Sequence, residues 1–326
     1  MSNIIDQLNI NVKLSGIKIA FLGTPEFAVP ILEKLSQSEF KPIAVFCAPD
    51  KPVGRKQVLT PPPVKVAAQK YNIPVFQPAN SRELAYTLKP IPFNMVISTA
   101  YGLILPKDVL DTPKYNCLNI HPSLLPKYRG PSPIQTTILN GDDETGVTII
   151  KMDEKIDHGP IIANYKLQIT NYKFTTLQLS QKLSEVGADL LIKTLSQWLA
   201  RKIKPASQDE SQATYTKIIK KENGLINWRK TAIKIERQIR AFTPWPGAFT
   251  KLKIKKLNLK IIKADVSEKN AQKKIGEVFL TKNEKLAVQT AQGCLIIEKL
   301  QLENGKPMSA QDFLRGHKNF IGQILS

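Results

Sequence analysis

Short apolar runs alternate with helical spacing along the first part of the chain. Residues 17–22 are apolar, residues 23–25 form a glycine turn, and a helical pattern leads to a second apolar run at 42–47. This order predicts a strand, a helix and a second strand, and therefore a βαβ unit with parallel pairing.

The same alternation continues for about 200 residues. The predicted helices are 64–71 and 177–199, and the predicted strands are 75–76, 94–99, 117–120 and 147–152. Strands that alternate with helices favour an α/β fold, namely a doubly wound, Rossmann-like domain around a parallel sheet.

A period-two pattern replaces this alternation in the last third of the chain. After a short predicted helix at 231–241, strands are predicted at 251–255, 257–261, 276–280, 286–290 and 295–300. Several short strands in about 80 residues indicate a small β-barrel of the oligonucleotide-binding type. The expected organisation is an N-terminal extension (1–16), a catalytic domain (17–201), a polar linker (202–221) and a β-barrel domain (222–326).

Composition narrows the class of protein. The 326 residues are 42% hydrophobic and 23% charged, which is an ordinary globular balance. We find neither an apolar run of membrane-spanning length nor a secretory signal pattern, and the three cysteines form no CxxC pair. These features predict a cytoplasmic protein that does not bind a membrane. A zinc site is also not expected, because none of the three histidines has metal-ligand spacing with a cysteine.

The positive charge is concentrated towards the C-terminus. The net charge is +20, of which residues 201–326 carry +15. This favours a polyanionic partner, most simply nucleic acid, although a solvated lysine-rich surface is the alternative. Strand alternation places Lys251, Lys253 and Lys255 on one face, either as a phosphate-binding face or as a charged edge that prevents aggregation.

Residues 23–25 lie where a dinucleotide-binding fold carries its glycine fingerprint. The segment holds one glycine followed by Thr24 and Pro25, and it does not fit GxGxxG. An NAD-dependent dehydrogenase is therefore disfavoured.

Polar side chains follow two predicted strands. Asn119 and His121 are two residues apart at the end of one strand, so they share a face. An asparagine amide can donate to an oxyanion, and a histidine can exchange protons near neutral pH. Asp157 follows the strand 147–152 and could reach His121; Asp153 and Glu154 are alternatives, and a structural histidine with solvated carboxylates is the simpler interpretation.

Four segments together resemble the folate-dependent formyltransferase family. They are GTPEF (23–27), AYGLILP (100–106), NIHPSLLPKYRGPSPIQ (119–135) and ETGVTIIKMD running on to DHG (144–159). Within the family, the chain most resembles the branch that acts on methionyl-tRNA. The segments that carry this resemblance are PDKPVGRK (49–56), FTPWPGA (242–248) and MSAQDF (308–313). The resemblance extends from about residue 16 to about residue 320.

The resemblance implies transfer of a formyl group from 10-formyltetrahydrofolate to the α-amine of methionyl initiator tRNA, without a metal. It assigns catalysis to Asn119, His121 and Asp157, with Asn119 and His121 stabilising the oxyanion and Asp157 supporting His121. It also implies a monomer, with folate contacts at Ser123, Leu124, Leu125, Pro126, Leu103 and Ile104. The implied tRNA contacts are Arg55 and Lys56, together with Lys251, Lys253 and Lys255 of the basic domain.

One position departs from the family pattern, and two other functions stay open. Lys155 stands where the family usually has a glycine, which predicts an altered loop conformation. A formyltetrahydrofolate hydrolase or a formyltransferase for a small amine shares the three polar residues but needs no basic β-domain. A non-catalytic RNA-binding protein conflicts with the presence of all three.

Overall fold

The computed structural model describes residues 16–54, 57–170, 172–252 and 257–325. The chain divides into two compact units. The first runs to Pro133 and includes Glu144–Ile169 and Ser180–Thr216. The second comprises Ile134–Asp143, Thr170–Leu179 and the chain from Lys217. Among the described residues, no helix combines the length and apolar character needed to cross a membrane.

The first unit is built around a seven-stranded mixed sheet. The strands in its part of the chain, including the separate β3–β4 hairpin, are β1 (Ile19–Gly23), β2 (Ala44–Phe46), β3 (Lys51–Val53), β4 (Val58–Thr60), β5 (Val75–Phe76), β6 (Met95–Thr99), β7 (Cys117–His121), β8 (Glu144–Lys151) and β9 (Ile161–Gln168). The order in the sheet is β5-β2-β1-β6-β7-β8-β9. Every residue of β1 and β6 is buried, as expected for central strands that are covered on both faces.

Five of the seven strands of this sheet pair in parallel. Strands β5, β2, β1, β6 and β7 pair in parallel, which confirms the predicted α/β fold. Strands β8 and β9 pair antiparallel, so the expectation of a wholly parallel sheet is wrong at this edge. A short connection at 152–160 joins β8 to β9, and strands joined in this way can only pair antiparallel.

Local sequence signals set several helix starts. The helices are α1 (Val29–Ser36), α2 (Pro63–Lys70), α3 (Ser81–Leu88), α4 (Lys107–Asp111), α5 (Pro133–Asn140), α6 (Thr176–Leu199), α7 (Ala232–Ala241) and α8 (Ala310–Gly316). The side chain of Asn80 caps α3 by accepting from the N–H of Glu83, and Thr231 caps α7 in the same way. Proline stands in the first turn of α1 and of α2, where its missing N–H leaves no bond unmade.

The second unit is built around an antiparallel sheet. Its strands are β10 (Ala248–Leu252), β11 (Leu257–Ser267), β12 (Val278–Leu280), β13 (Leu286–Gln289), β14 (Cys294–Leu302) and β15 (Met308–Ser309). They lie in the order β10-β11-β14-β13-β12, and β15 pairs with β14. Ile235 and Ile239 of α7 and Phe313 of α8 are buried in one apolar core with this sheet. The predicted β-rich second domain is confirmed, whereas its classification as an oligonucleotide-binding barrel stays a prediction.

Candidate active site

Asn119 and His121 lie at the end of β7, next to β8, which is the strand that pairs with β7 in the antiparallel direction. In the antiparallel register Asn119 lies opposite Ile150, and His121 lies opposite Thr148. His121 is 5% exposed, so its ring is largely removed from solvent. A titratable ring in such a place needs polar partners, and the structure supplies them from two loops.

Asp157 lies in the connection between β8 and β9 and meets both residues. Its Oδ1 accepts from Nδ2 of Asn119 at 3.1 Å, and its Oδ2 accepts from the N–H of Gly130 at 2.8 Å. The same Oδ2 lies 3.5 Å from Nδ1 of His121. The structure therefore brings the three predicted side chains together, although their catalytic roles stay a prediction.

The two alternative carboxylates have other partners. Oδ2 of Asp153 lies 2.6 Å from Nδ1 of His158, and Oε1 of Glu154 accepts from Nζ of Lys107 at 2.5 Å. Asp157 is thus the acid of this connection that reaches His121.

The ring of His121 lies between two oxygen atoms. Nε2 is 2.9 Å from the carbonyl oxygen of Tyr128, which can only accept, so this nitrogen carries a hydrogen. Nδ1 faces the Asp157 carboxylate. Each ring nitrogen of His121 therefore faces an oxygen atom, one from the main chain and one from a carboxylate.

The backbone of Asp157 adopts an unusual conformation. Its φ is 50°, in the left-handed region, which costs an L-residue about 1 kcal/mol. Lys155 has no positive φ, and its N–H bonds to Oδ1 of Asp153. The backbone conformation of Lys155 does not require a glycine, and its predicted effect on the loop stays a prediction.

The loop after β7 is held by hydrogen bonds within the loop and to Thr148 of β8. The hydroxyl of Ser123 donates to the carbonyl of Lys127 at 2.6 Å. Oγ1 of Thr148 donates to the carbonyl of Ser123 at 2.7 Å and accepts from the N–H of Leu125 at 3.1 Å. The peptide bond between Leu125 and Pro126 is cis. Ser123 thus uses its hydroxyl within the loop.

The predicted folate contacts differ in exposure. Ser123 and Leu125 are buried, Leu124, Pro126 and Leu103 are half-buried, and Ile104 is 66% exposed. No contact with folate is tested, so these six assignments stay predictions.

Arg129, at the end of this loop, is fully buried and was not singled out from the sequence. Its guanidinium donates to Glu210 at 2.6 and 3.0 Å, to Gln208 at 2.8 and 3.0 Å, and to the hydroxyl of Tyr215 at 3.0 Å. The hydrogen bonds that Arg129 donates to Glu210 raise the pKa of Arg129 and lower the pKa of Glu210. Arginine can make such a bidentate contact with a carboxylate, and lysine cannot.

Gln208 connects Arg129 to residues 157–159, which are called the Asp157 turn below. Its Nε2 donates to the carbonyl oxygens of Asp157 and Gly159, both at 2.8 Å. The polar composition of 202–221 favoured a linker. Nothing in that pattern revealed that Gln208 contacts Asp157, which is 51 positions earlier, and Arg129, which is 79 positions earlier. The segment therefore contributes functional-site residues that sequence reasoning missed, and the domain boundaries stay a prediction.

The basic residues predicted to bind tRNA lie mostly outside the described part of the chain. Arg55, Lys56, Lys253 and Lys255 are not among the described residues. Lys251 is exposed on β10 between two buried neighbours, as the alternation predicted. Its contact with tRNA stays a prediction.

Metal binding gains no support from the described residues, in which no group of three or more His, Cys, Asp or Glu side chains is arranged to hold a metal ion. The three cysteines are buried, and burial raises the pKa of Cys47 to about 11 and that of Cys117 to about 12. These thiols are therefore not prepared as ligands or nucleophiles.

Comparison with known proteins covers both parts of the chain. Residues 17–195 match the formyl transferase family, and residues 218–318 match the formyl transferase C-terminal domain. The methionyl-tRNA formyltransferase of Caldicellulosiruptor saccharolyticus is 44% identical over 94% of this chain and 99% of its own length. That of Geotalea uraniireducens is 41% identical over 96% of this chain and 99% of its own length.

Solved structures agree on the fold. An N-formyltransferase from Helicobacter canadensis, in complex with folinic acid and dTDP-3-aminofucose, matches with a TM-score of 0.63 at 26% identity. The match covers 86% of this chain and 98% of that one. HypX from Aquifex aeolicus, in complex with tetrahydrofolic acid, matches with a TM-score of 0.62 at 17% identity over 92% of this chain and 47% of its own.

Proposed function

Because this chain belongs to the formyl transferase family, we propose that it transfers the formyl group of 10-formyltetrahydrofolate to the α-amine of methionyl initiator tRNA. The chain is a formyl-group transferase, and relatives that are 38–44% identical over nearly their whole length carry the methionyl-tRNA formyltransferase name. The observation that supports the chemistry is the contact of one carboxylate, Asp157, with both Asn119 and His121.

The reaction needs a neutral amine to attack the formyl carbon, and a negative charge then develops on the formyl oxygen. Asn119 uses one N–H of its amide for Asp157 and keeps a second N–H for that oxygen. The oxyanion collapses with departure of the folate nitrogen, which must gain a proton as the amine loses one. No bond to the protein is formed in this sequence.

His121 supports the same charge. As an imidazolium it places a positive charge beside the oxyanion, and Asp157 compensates that charge when no substrate is bound. To donate directly, Nε2 must exchange the carbonyl of Tyr128 for the formyl oxygen, because that carbonyl accepts its hydrogen at 2.9 Å. Asn119 is accordingly the direct donor in the observed geometry, and His121 contributes charge first and a hydrogen bond second.

Recognition of the tRNA is assigned to the basic residues. The exposed Lys251, with Lys253 and Lys255 outside the described residues, would bind phosphates without base specificity. Arg55 and Lys56, also outside the described residues, would contact the acceptor end. Arg55→Ala is expected to weaken discrimination of initiator from elongator tRNA while folate binding is kept; an equal loss of folate binding would contradict this role.

A formylation assay with 10-formyltetrahydrofolate and charged initiator or elongator methionyl-tRNA tests the proposal. Transfer selective for the initiator is expected, and His121→Ala should reduce it strongly. Release of tetrahydrofolate and formate without transfer would indicate a hydrolase. The Helicobacter canadensis structure contains an amino sugar nucleotide, so dTDP-3-aminofucose serves as the small-amine comparison.

A further inference from the structure

We propose that Gln208 is a positioning residue for the formyl transfer, because it holds the backbone of the Asp157 turn through two hydrogen bonds. The inference rests on the proposed function of Asp157. The side chain of Gln208 contacts the site only at the main-chain carbonyls of Asp157 and Gly159, and the proposal gives it a role in the reaction.

The orientation of the Gln208 amide is fixed by its neighbours. Its Oε1 accepts from Nε and from a terminal nitrogen of Arg129, at 3.0 and 2.8 Å, and a guanidinium can only donate. Its Nε2 donates to two carbonyl oxygens, which can only accept. Both amide hydrogens are used, so a reversed amide would place donor against donor and acceptor against acceptor.

Arg129 provides a firm support for that amide. Its backbone N–H donates to the carbonyl of Thr214, and its carbonyl accepts from the N–H of Thr216, both at 2.8 Å. The remaining terminal nitrogen of the guanidinium donates to Glu210 and to Tyr215, and the side chain is fully buried. Gln208 is thus attached to a group that cannot easily move.

The Asp157 turn requires such a support. Asp157 has a φ of 50°, and its carboxylate must stay within reach of Asn119, Gly130 and His121. The two carbonyls that Gln208 holds belong to Asp157 itself and to Gly159, so they flank the turn. A change of peptide orientation at either position would move the carboxylate away from its partners.

Gln208→Glu separates positioning from simple packing. A glutamate has the same shape and still accepts from Arg129, so the buried guanidinium stays paired. It cannot donate to the two carbonyls, and it places a negative oxygen against them. If Gln208 only serves as a partner of Arg129, this substitution should be silent.

The experiment compares Gln208→Glu with the wild-type protein and with Gln197→Glu, the same substitution at an exposed position of α6. We expect kcat to fall roughly 10- to 100-fold with little change in KM for either substrate, while the thermal unfolding midpoint stays well above the assay temperature. Gln197→Glu should match the wild type in all three quantities.

Two results would overturn the proposal: a kcat within twofold of the wild type, or a loss of kcat matched by an equal loss of folded protein. Release of formyl to initiator tRNA, elongator tRNA and water is followed in the same reactions. If the wild type prefers a different acceptor, the proposed function fails, and the ratio of Gln208→Glu to wild type on that acceptor still decides whether Gln208 positions the turn.

Discussion

Asn119 and Asp157 are joined by a hydrogen bond of 3.1 Å between Nδ2 and Oδ1, across 38 residues of sequence. This bond uses one of the two carboxylate oxygens and leaves the other for Gly130 and His121. One side chain therefore orients an amide donor and faces an imidazole at the same time. The relationship makes Asp157 the residue whose replacement should affect both neighbours.

Asp157→Asn should lower kcat by about 10²- to 10⁴-fold. An asparagine has one acceptor oxygen, so its amide group must face a donor at either Asn119 or Gly130, and it cannot compensate the imidazolium of His121. Steady-state formylation checks the loss, and the thermal unfolding midpoint serves as the control for folding. A kcat near the wild-type value would remove Asp157 from the mechanism.

Arg129→Met should destabilise the protein by about 1–3 kcal/mol, because it leaves Oε1 of Gln208 without the guanidinium that donates to it. Methionine fills a similar volume, so the loss reports hydrogen bonds rather than a cavity. Urea unfolding measures the change, with Arg315→Met, which replaces an exposed arginine on α8, as the control. Equal midpoints for both variants would contradict the prediction.

Acid should weaken the Arg129–Glu210 pair. The pKa of Glu210 is lowered from its ordinary value of 4.5 by the bond from Arg129, so its contribution is complete above that value and is lost as the pH falls through the lowered pKa. Glu210→Gln should therefore differ from the wild type at pH 6 and approach it in strongly acidic solution. Thermal unfolding from pH 6 to pH 3 measures this convergence, and a constant difference would argue against it.

Gly159→Ala should disturb the turn from its far side. A Cβ at this position would overlap the carbonyl oxygen of Lys151, which is backbone and cannot rotate away. We expect a loss of about 1–3 kcal/mol together with lower activity. Gly16→Ala, where a Cβ meets open space, is the control for the substitution itself. Wild-type stability in Gly159→Ala would show that the turn adapts.

The three thiols should react only after unfolding. Cys47, Cys117 and Cys294 are buried, and burial raises the pKa of each. A thiol reagent at neutral pH should therefore label none of them rapidly in the folded protein and all three in denaturant. Rapid labelling of a single cysteine in the folded protein would reveal local opening around it.

The main elements could be predicted from sequence because their signals are local. The apolar runs around β1, β6 and β7 and the periodicity of α6 depend on neighbouring residues, and their bounds agree with the structure to within a few positions. The antiparallel pairing of β8 depends on which strand it meets, and a run of apolar residues contains no such information.

The site likewise contains residues that could be predicted from the sequence and residues that could not. Asn119 and His121 lie at the end of β7, Asp157 lies in the connection that follows β8, and all three stand in recognisable motifs, so their proximity could be expected. Gln208 and Arg129 are recognised only through a contact over 79 residues, and a polar segment looks alike whether it is solvated or anchored. The positive φ of Asp157 was likewise not predicted from its sequence.

The anchoring of Gln208 also sets an order of events during synthesis. The Asp157 turn leaves the ribosome before residues 208–216, so its carbonyls remain unsupported until that later segment has emerged and reached Arg129. At about 5–20 residues per second the delay is on the order of 3–12 s. A growing chain halted before residue 208 would contain Asn119, His121 and Asp157 without the group that fixes their geometry. Under the role proposed for Gln208, competence for transfer is acquired only once that downstream segment is in place.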